Sequence, residues 1–220
     1  MASERIVSQA PSGSVEVAAN DAVQIQVMSD HRGAPPHPSE RIRVGEDAPE
    51  ATMLTAQAAQ AALADKLVLL GDLAAGVPML DEALLRLRQV SSEWFVVTVV
   101  VERGQAALLQ GDLSGAARWF VETIDLARPL QHMRSLLSAV TGLAGIALGL
   151  GQPARAARLL GAVEVAQETL GVGQISLAHY AKRVTADTRA ALDAATFARA
   201  WSGGRQLPLP EAVAEALTVA

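Results

Sequence analysis

The residues that could carry catalysis are few and far apart in this chain. The histidines are His31, His37, His132 and His179, and no two of them stand at the i, i+4 spacing of a helical metal site. The chain has no cysteine, which excludes disulfides, thiol nucleophiles and cysteine-ligated zinc. We therefore predict no catalytic residue, no metal site and no cofactor, and expect the chain not to be an enzyme.

Other ligand-binding motifs are incomplete. Ser91-Ser92-Glu93 is typical of a helix cap and has no neighbouring base to activate a nucleophile. Gly171-Val172-Gly173 lacks the third glycine and the preceding strand of a dinucleotide-binding loop. Neither lysine, Lys66 or Lys182, follows a glycine, so no phosphate-binding loop is predicted.

Composition narrows the class of protein further. Half of the residues are hydrophobic but only 3% are aromatic, which favours helices packed through Ala, Leu and Val. A net charge of −5 gives no general attraction to nucleic acid or to an anionic membrane surface. No apolar run reaches the roughly 20 residues that cross a bilayer. Polar and small residues follow the first eight, in place of the apolar core of a secretory signal, so we expect no such signal. We expect a cytoplasmic protein that binds neither nucleic acid nor membrane.

The first 50 residues differ from the rest. They contain five prolines and little sustained periodicity, which is typical of a linker or a poorly ordered tail. Residues 23–27 alternate like a short strand, but one strand without a partner is only marginally stable. We predict a disordered or linker segment over 1–50, helical repeats over 51–172 and capping helices over 173–220.

A glycine-centred turn recurs at a fixed interval in the helical part. Leu70-Gly71-Asp72, Gln110-Gly111-Asp112 and Leu150-Gly151-Gln152 place their glycines 40 residues apart. Glycine readily enters the left-handed conformation in which helices commonly end, and an aspartate directly afterwards suits the N-cap of the next helix. Pro153 fits the first turn of a returning helix. The spacing predicts three helical hairpins of one kind.

Alignment of the three segments on their glycines gives matching columns. Within each column the side chains have a similar size. Small columns let the two helices of a hairpin cross closely, and a large column fills the groove between adjacent hairpins. The small columns are Ala64, Gly104 and Ala144, seven residues before the glycine, and Gly76, Ala116 and Ala156, five after it; the large column is Leu80, Phe120 and Leu160, nine after it.

This arrangement resembles the tetratricopeptide repeat over about residues 57–170, with Ala116 and Phe120 at the family's small and large helix B positions. The resemblance implies an all-α fold of stacked helical hairpins, an α-solenoid. The period departs from the family's usual 34 residues, and Gln60, Val100 and Val140 stand at the helix A tryptophan position.

Two segments oppose a simple hairpin reading. Pro78 falls inside the expected second helix, where proline costs roughly 3 kcal/mol, so we expect a short or kinked second helix that starts at Pro78. Residues 94–101 are rich in β-branched residues and favour a strand by propensity. The 40-residue register places them in helix A of the second hairpin, and we predict a helix there.

The last third of the chain is similar to the closing helices of large bacterial regulators of the LuxR-type and related ATPase families. The motifs that carry this resemblance are Gly142-Leu143-Ala144-Gly145, Gly151-Gln152-Pro153-Ala154-Arg155-Ala156-Ala157-Arg158-Leu159-Leu160-Gly161-Ala162, Ala190-Ala191-Leu192, Phe197-Ala198-Arg199-Ala200-Trp201, Gly204-Arg205 and Glu211-Ala212-Val213. The resemblance implies a sensor region of a transcriptional regulator. We expect a detached or truncated C-terminal segment that lacks the ATPase and DNA-binding modules.

A binding face follows from the tetratricopeptide resemblance, because helix A lines the concave surface in that family. The residues that would contact a partner are Asp65, Val68, Thr98, Val101, Gln105, Leu108, Ser138, Thr141 and Leu148, together with Ala58, Ala61 and Gly145. These side chains are small, apolar or neutral apart from one acid, which suits a helix, an apolar peptide or the protein's own neighbouring helices. The alternative is that they only pack inside a tight superhelix.

The leading hypothesis is a noncatalytic domain of a bacterial signalling or transcription regulator that binds a protein or peptide partner. Self-association remains open. The alternative is a sensor module whose hairpins enclose a small apolar effector.

Overall fold

The computed structural model describes residues 6–9, 14–20, 22–27, 43–44, 49–89, 92–172 and 177–220. Contacts between residues divide the chain into two units, Met1–Ala59 and Gln60–Ala220. Every regular element described from Pro49 onward is an α-helix, so the predicted all-α class is confirmed for that part of the chain.

The first unit contains an antiparallel sheet in the order β1-β2-β3-β4. Its strands are Ile6–Gln9, Ser14–Asn20, Ala22–Val27 and Arg43–Val44. The alternating residues 23–27 lie in β3, which pairs with β2 on one side and β4 on the other. The sequence led us to expect no partner for this strand, and the described neighbours supply its backbone hydrogen bonds. Pro49 and Glu50 of the predicted linker lie in the first helix, and its residues beyond these strands and this helix lie outside the described ranges.

The described helices are α1 (Pro49–Leu69), α2 (Leu73–Gln89), α3 (Glu93–Leu109), α4 (Leu113–Leu130), α5 (Met133–Gly149), α6 (Pro153–Leu170), α7 (Ala178–Ala190), α8 (Ala194–Arg205) and α9 (Leu209–Leu217). From α2 to α6, each helix packs against the next along the chain. In addition α3 contacts α5, α5 contacts α7, and α6 contacts α8. The β-branched residues 94–101 are helical within α3, as the register predicts.

The three glycine turns have one geometry, as the sequence predicts. Gly71, Gly111 and Gly151 are left-handed, with φ of 87°, 77° and 74°. In each turn the glycine N–H and the N–H of the next residue donate to carbonyls of the preceding helix, which satisfies groups that a helix end leaves unpaired. Asp72 and Asp112 cap the following helices by accepting from Ala75 N and Gly115 N at 3.1 and 2.8 Å.

A fourth turn of the same kind joins α4 to α5 without a glycine. Gln131 is left-handed with φ 53°, and the His132 N–H donates to the Ala127 carbonyl at 2.9 Å. The glycine spacing does not predict this turn, because its left-handed residue is glutamine, whereas such positions usually hold glycine. The same chain reversal therefore ends α1, α3, α4 and α5.

The left-handed backbone at Gly111 predicts a measurable cost of substitution. We expect Gly111→Val to lower the free energy of unfolding by about 1 to 2 kcal/mol, because a Cβ is disfavoured at positive φ. A Cβ at Gly111 would meet no atom within 4 Å, so crowding contributes nothing. Conversely, Gln131→Gly should raise the unfolding free energy by up to about 1 kcal/mol. Urea denaturation measures both, and an unchanged midpoint for Gly111→Val would contradict the shared turn.

The small and large columns of the hairpins are buried, as the alignment predicts. A Cβ at Gly76 would lie 3.0 Å from the Ala64 carbonyl oxygen, so these two small residues mark a close crossing of α1 and α2. In the next hairpin the fully buried Phe120 lies between Gly104 of α3 and Gly142 of α5. Its ring links three helices, because both glycines leave room for it.

Pro78 does not begin the second helix. The helix begins at Leu73, five residues earlier, and Pro78 lies exposed within it. The expectation of a start at Pro78 is therefore wrong. One missing backbone hydrogen bond is tolerated because Gly76, Leu80 and Leu84 of the same helix are buried, and tertiary packing outweighs the local propensity.

Close backbone contact between α6 and α8 explains several of the terminal motifs. A Cβ at Gly161 would lie 3.2 Å from the Trp201 carbonyl carbon, and a Cβ at Gly204 would lie 2.7 Å from that of Arg158. Beside this crossing, the Trp201 indole N–H donates to Glu164 at 3.1 Å and Arg205 pairs with Glu168 at 2.8 Å. These motif residues hold the two helices together.

Candidate functional site

The predicted helix A face is largely interior. Five of its predicted contact residues have 4% or less of their surface exposed: Val68, Val101, Gln105, Ser138 and Thr141. Asp65, Thr98, Leu108 and Leu148 are half-buried. Of the additional residues named for this face, Ala61 and Gly145 are buried and Ala58 is half-buried. The buried members have no surface to offer a partner, which matches the alternative that these residues pack inside the helical unit.

Helix α7 covers part of the predicted helix A face. The Tyr180 hydroxyl of α7 lies against Gly145 of α5, where any Cβ would overlap it. The Ser138 and Thr141 hydroxyls donate to the Arg134 and Leu137 carbonyls of their own helix, at 2.9 and 2.8 Å. These two hydroxyls are therefore satisfied within their own helix, and α7 occupies part of the surface of the third hairpin.

Two acids lie close together between α1 and α3. Burial raises the pKa of the Glu102 carboxyl well above its usual range, and the nearby Asp65 raises it further. Burial also raises the pKa of Asp65, while Lys66 opposes that rise. Glu102 Oε2 has no hydrogen-bond partner among the described residues. This environment favours a protonated Glu102.

His132 is the buried N-cap residue of α5. Its Nδ1 accepts from the Ser135 backbone N–H at 3.3 Å, and its ring meets Trp94 edge-on with centroids 4.2 Å apart. Burial lowers the pKa of His132 to about 4, and the neighbouring Arg134 lowers it as well. The neutral imidazole is thus the form that caps α5.

This cap predicts a pH dependence of stability. Because the pKa of His132 falls from 6.5 to about 4 on folding, its contribution is complete above pH 6.5 and is lost as the pH falls towards 4. We expect a loss of about 2 to 3 kcal/mol of unfolding free energy across that window. His132→Asn keeps a capping side chain and should flatten the dependence. Denaturation at several pH values measures it, and equal slopes in both proteins would contradict this role.

An open groove of about 640 Å³ lies along α4. Its apolar lining consists of Leu113, Ala117, Val121, Ile146, Leu150, Val219 and Ala220. The three α4 members are spaced four residues apart and so share one helix face. Leu150 is 53% exposed within this lining, which leaves a large apolar side chain in contact with solvent.

Charged side chains flank the apolar floor of this groove. Arg118, Glu122 and Asp125 of α4 line it. Glu122 forms an ion pair with Arg88 of α2. Arg118 and Asp125 have no ion-pair or hydrogen-bond partner among the described residues. The groove thus combines an apolar floor with one free positive and one free negative charge, which are features of a recognition surface.

The residues that line this groove are not predicted as a site by the sequence. Its lining comes from three separate stretches, near residues 113–125, 146–150 and 219–220, and only the packing of α4, α5 and the segment after α9 brings them together. The available signal was the apolar spacing of Leu113, Ala117 and Val121 on a helix B, a helix that the tetratricopeptide resemblance does not assign to binding.

The described residues contain no group of three or more His, Asp or Glu side chains placed to hold a metal ion. None of the helices described combines the length and apolarity needed to cross a membrane. Comparisons with models of protein families, with curated proteins and with solved structures gave no match to this chain.

Proposed function

We propose that the helical unit is a noncatalytic, tetratricopeptide-like protein-interaction or sensor domain of a bacterial signalling or transcription regulator in the cytoplasm. The α4 groove carries this proposal, because it offers an apolar surface flanked by free charges. The repeated left-handed turns support a hairpin stack, an architecture that commonly presents extended binding surfaces. Because most of the predicted helix A face is buried, we place the proposed contact surface on α4 instead.

A photoreactive residue in the groove tests this function. Val121 is half-buried in the groove, and Leu170, at the end of α6, is 50% exposed and does not line it. Benzoylphenylalanine is placed at either position in the full chain, in cells that naturally produce it, and adducts are identified by mass spectrometry. We expect a defined protein adduct from position 121 and none from position 170. Absence of an adduct from 121, or identical adducts from both, would contradict an interaction role for this groove.

A small apolar effector is the second candidate function. The groove volume of about 640 Å³ lies within the range that holds a drug-sized molecule. In this case a small apolar molecule should raise the melting temperature of the purified chain, with no protein adduct from position 121. Val121→Trp should abolish that rise by filling the groove.

A further inference from the structure

We propose that the occupant of the α4 groove is helix α4 of a second copy of this chain, packed antiparallel about a twofold axis near Val121. This inference rests on the proposed interaction function and names its partner. Both copies would use the same face of α4. Each α4 helix would therefore line the groove of its own copy and occupy the groove of the other copy.

The apolar face of α4 fits such a groove. Half-buried Leu113 and Val121 lie about two turns apart on one face of α4, with the small, buried Ala117 between them. Such a face is the one that a helix in an apolar groove presents. Ala117 and the adjoining Ser114 are small, and small residues at a crossing let two helices approach to about 8 Å. A second helix in the groove would shield the exposed Leu150 side chain from water.

The free charges are self-complementary under a twofold axis. Arg118 and Asp125 lie equally far from the midpoint between residues 121 and 122. In an antiparallel pair of α4 helices centred on that midpoint, each Arg118 faces Asp125 of the second copy. A twofold interface repeats this contact, so two ion pairs form from groups that are unpaired within one copy.

The other acid that lines the groove already has an ion-pair partner. Glu122 pairs with Arg88 of the same chain, so Asp125 is the acid left for Arg118 of the second copy. A different partner would have to supply an apolar stripe with a base and an acid two turns apart, and α4 already carries that pattern. A small apolar effector would fill the groove but would leave both Arg118 and Asp125 without an ion-pair partner.

Charge reversal tests this inference on the full chain. Oligomeric state is measured by sedimentation equilibrium for the parent, for Arg118→Asp, for Asp125→Arg and for the doubly reversed protein. Each single reversal turns two attractive pairs into two repulsive ones and should raise the dimer Kd at least about tenfold. The double reversal restores opposite charges and should return the Kd to within about threefold of the parent. Lys182→Asp, at an exposed position of α7 outside the groove, is the matched control and should leave it unchanged.

The outcomes separate the two proposals. A parent dimer that weakens with each single reversal and recovers with both supports the α4 pair. A parent that stays monomeric at about 200 µM, well above typical specific affinities, overturns it, as does a dimer indifferent to the reversals. If position 121 then captures a different protein, the interaction function stands without self-pairing. If it captures none, both proposals fail. Circular dichroism of every variant confirms that it is folded.

Discussion

Gly203→Ala and Gly204→Ala, which change adjacent residues of α8, are expected to alter stability in opposite directions. A Cβ at Gly204 would overlap the Arg158 carbonyl oxygen of α6, and backbone cannot rotate away as a side chain can. We expect a loss of about 2 to 3 kcal/mol of unfolding free energy from this overpacking. At Gly203 a Cβ would meet nothing within 4 Å, so alanine should add about 0.5 to 1 kcal/mol by favouring the helix.

Urea denaturation of the two variants beside the parent measures this difference. Both substitutions have the same chemistry and lie in the same helix, so each controls for the other. Equal effects would contradict the close crossing of α6 and α8. They would also remove the structural reason for the Gly204-Arg205 motif.

Phe120→Ala is expected to have the largest effect, a loss of about 3 to 5 kcal/mol, because it empties the fully buried centre where α3, α4 and α5 meet. The adjacent glycine gives a sharper test. A Cβ at Gly142 would lie 2.7 Å from Phe120 Cδ2, so Gly142→Ala should destabilise the parent.

In the Phe120→Ala background the same Gly142→Ala change should be neutral or stabilising, since the ring it strikes has gone. The two substitutions are therefore expected to be strongly non-additive in a double-mutant cycle. Additive effects, measured by chemical denaturation, would contradict the placement of Phe120 over Gly142.

The hairpin pattern was readable from the sequence because its causes are local. A left-handed turn favours glycine, and the following Asp72 or Asp112 caps the next helix through a hydrogen bond three residues on. The 40-residue spacing also correctly predicted a helix over residues 94–101, although their local propensity favours a strand. The turn at Gln131 had no comparable signal, because its left-handed residue is not glycine.

The candidate site was harder to predict because its causes are tertiary. A register can place Ser138 and Gly145 on helix A, but only the course of the later chain decides that α7 and Tyr180 cover that helix. In the same way, Val219 and Val121 line one groove although they lie far apart in the sequence. The predicted face therefore keeps Asp65, Thr98, Leu108 and Leu148 as half-buried members, and the α4 groove replaces it as the candidate contact surface.

Hydrogen exchange tests the central claim, that the helical unit binds a protein through α4, most directly. Amide exchange is measured for the dilute full chain and for its complex with the protein that position 121 captures, whether a second copy or another chain. Binding slows exchange where it suppresses local opening. We predict slower exchange in α4 and at residues 146–150, with residues 98–108 of α3 unchanged. Protection confined to α1 and α3, with α4 exchanging as in the free chain, would contradict it.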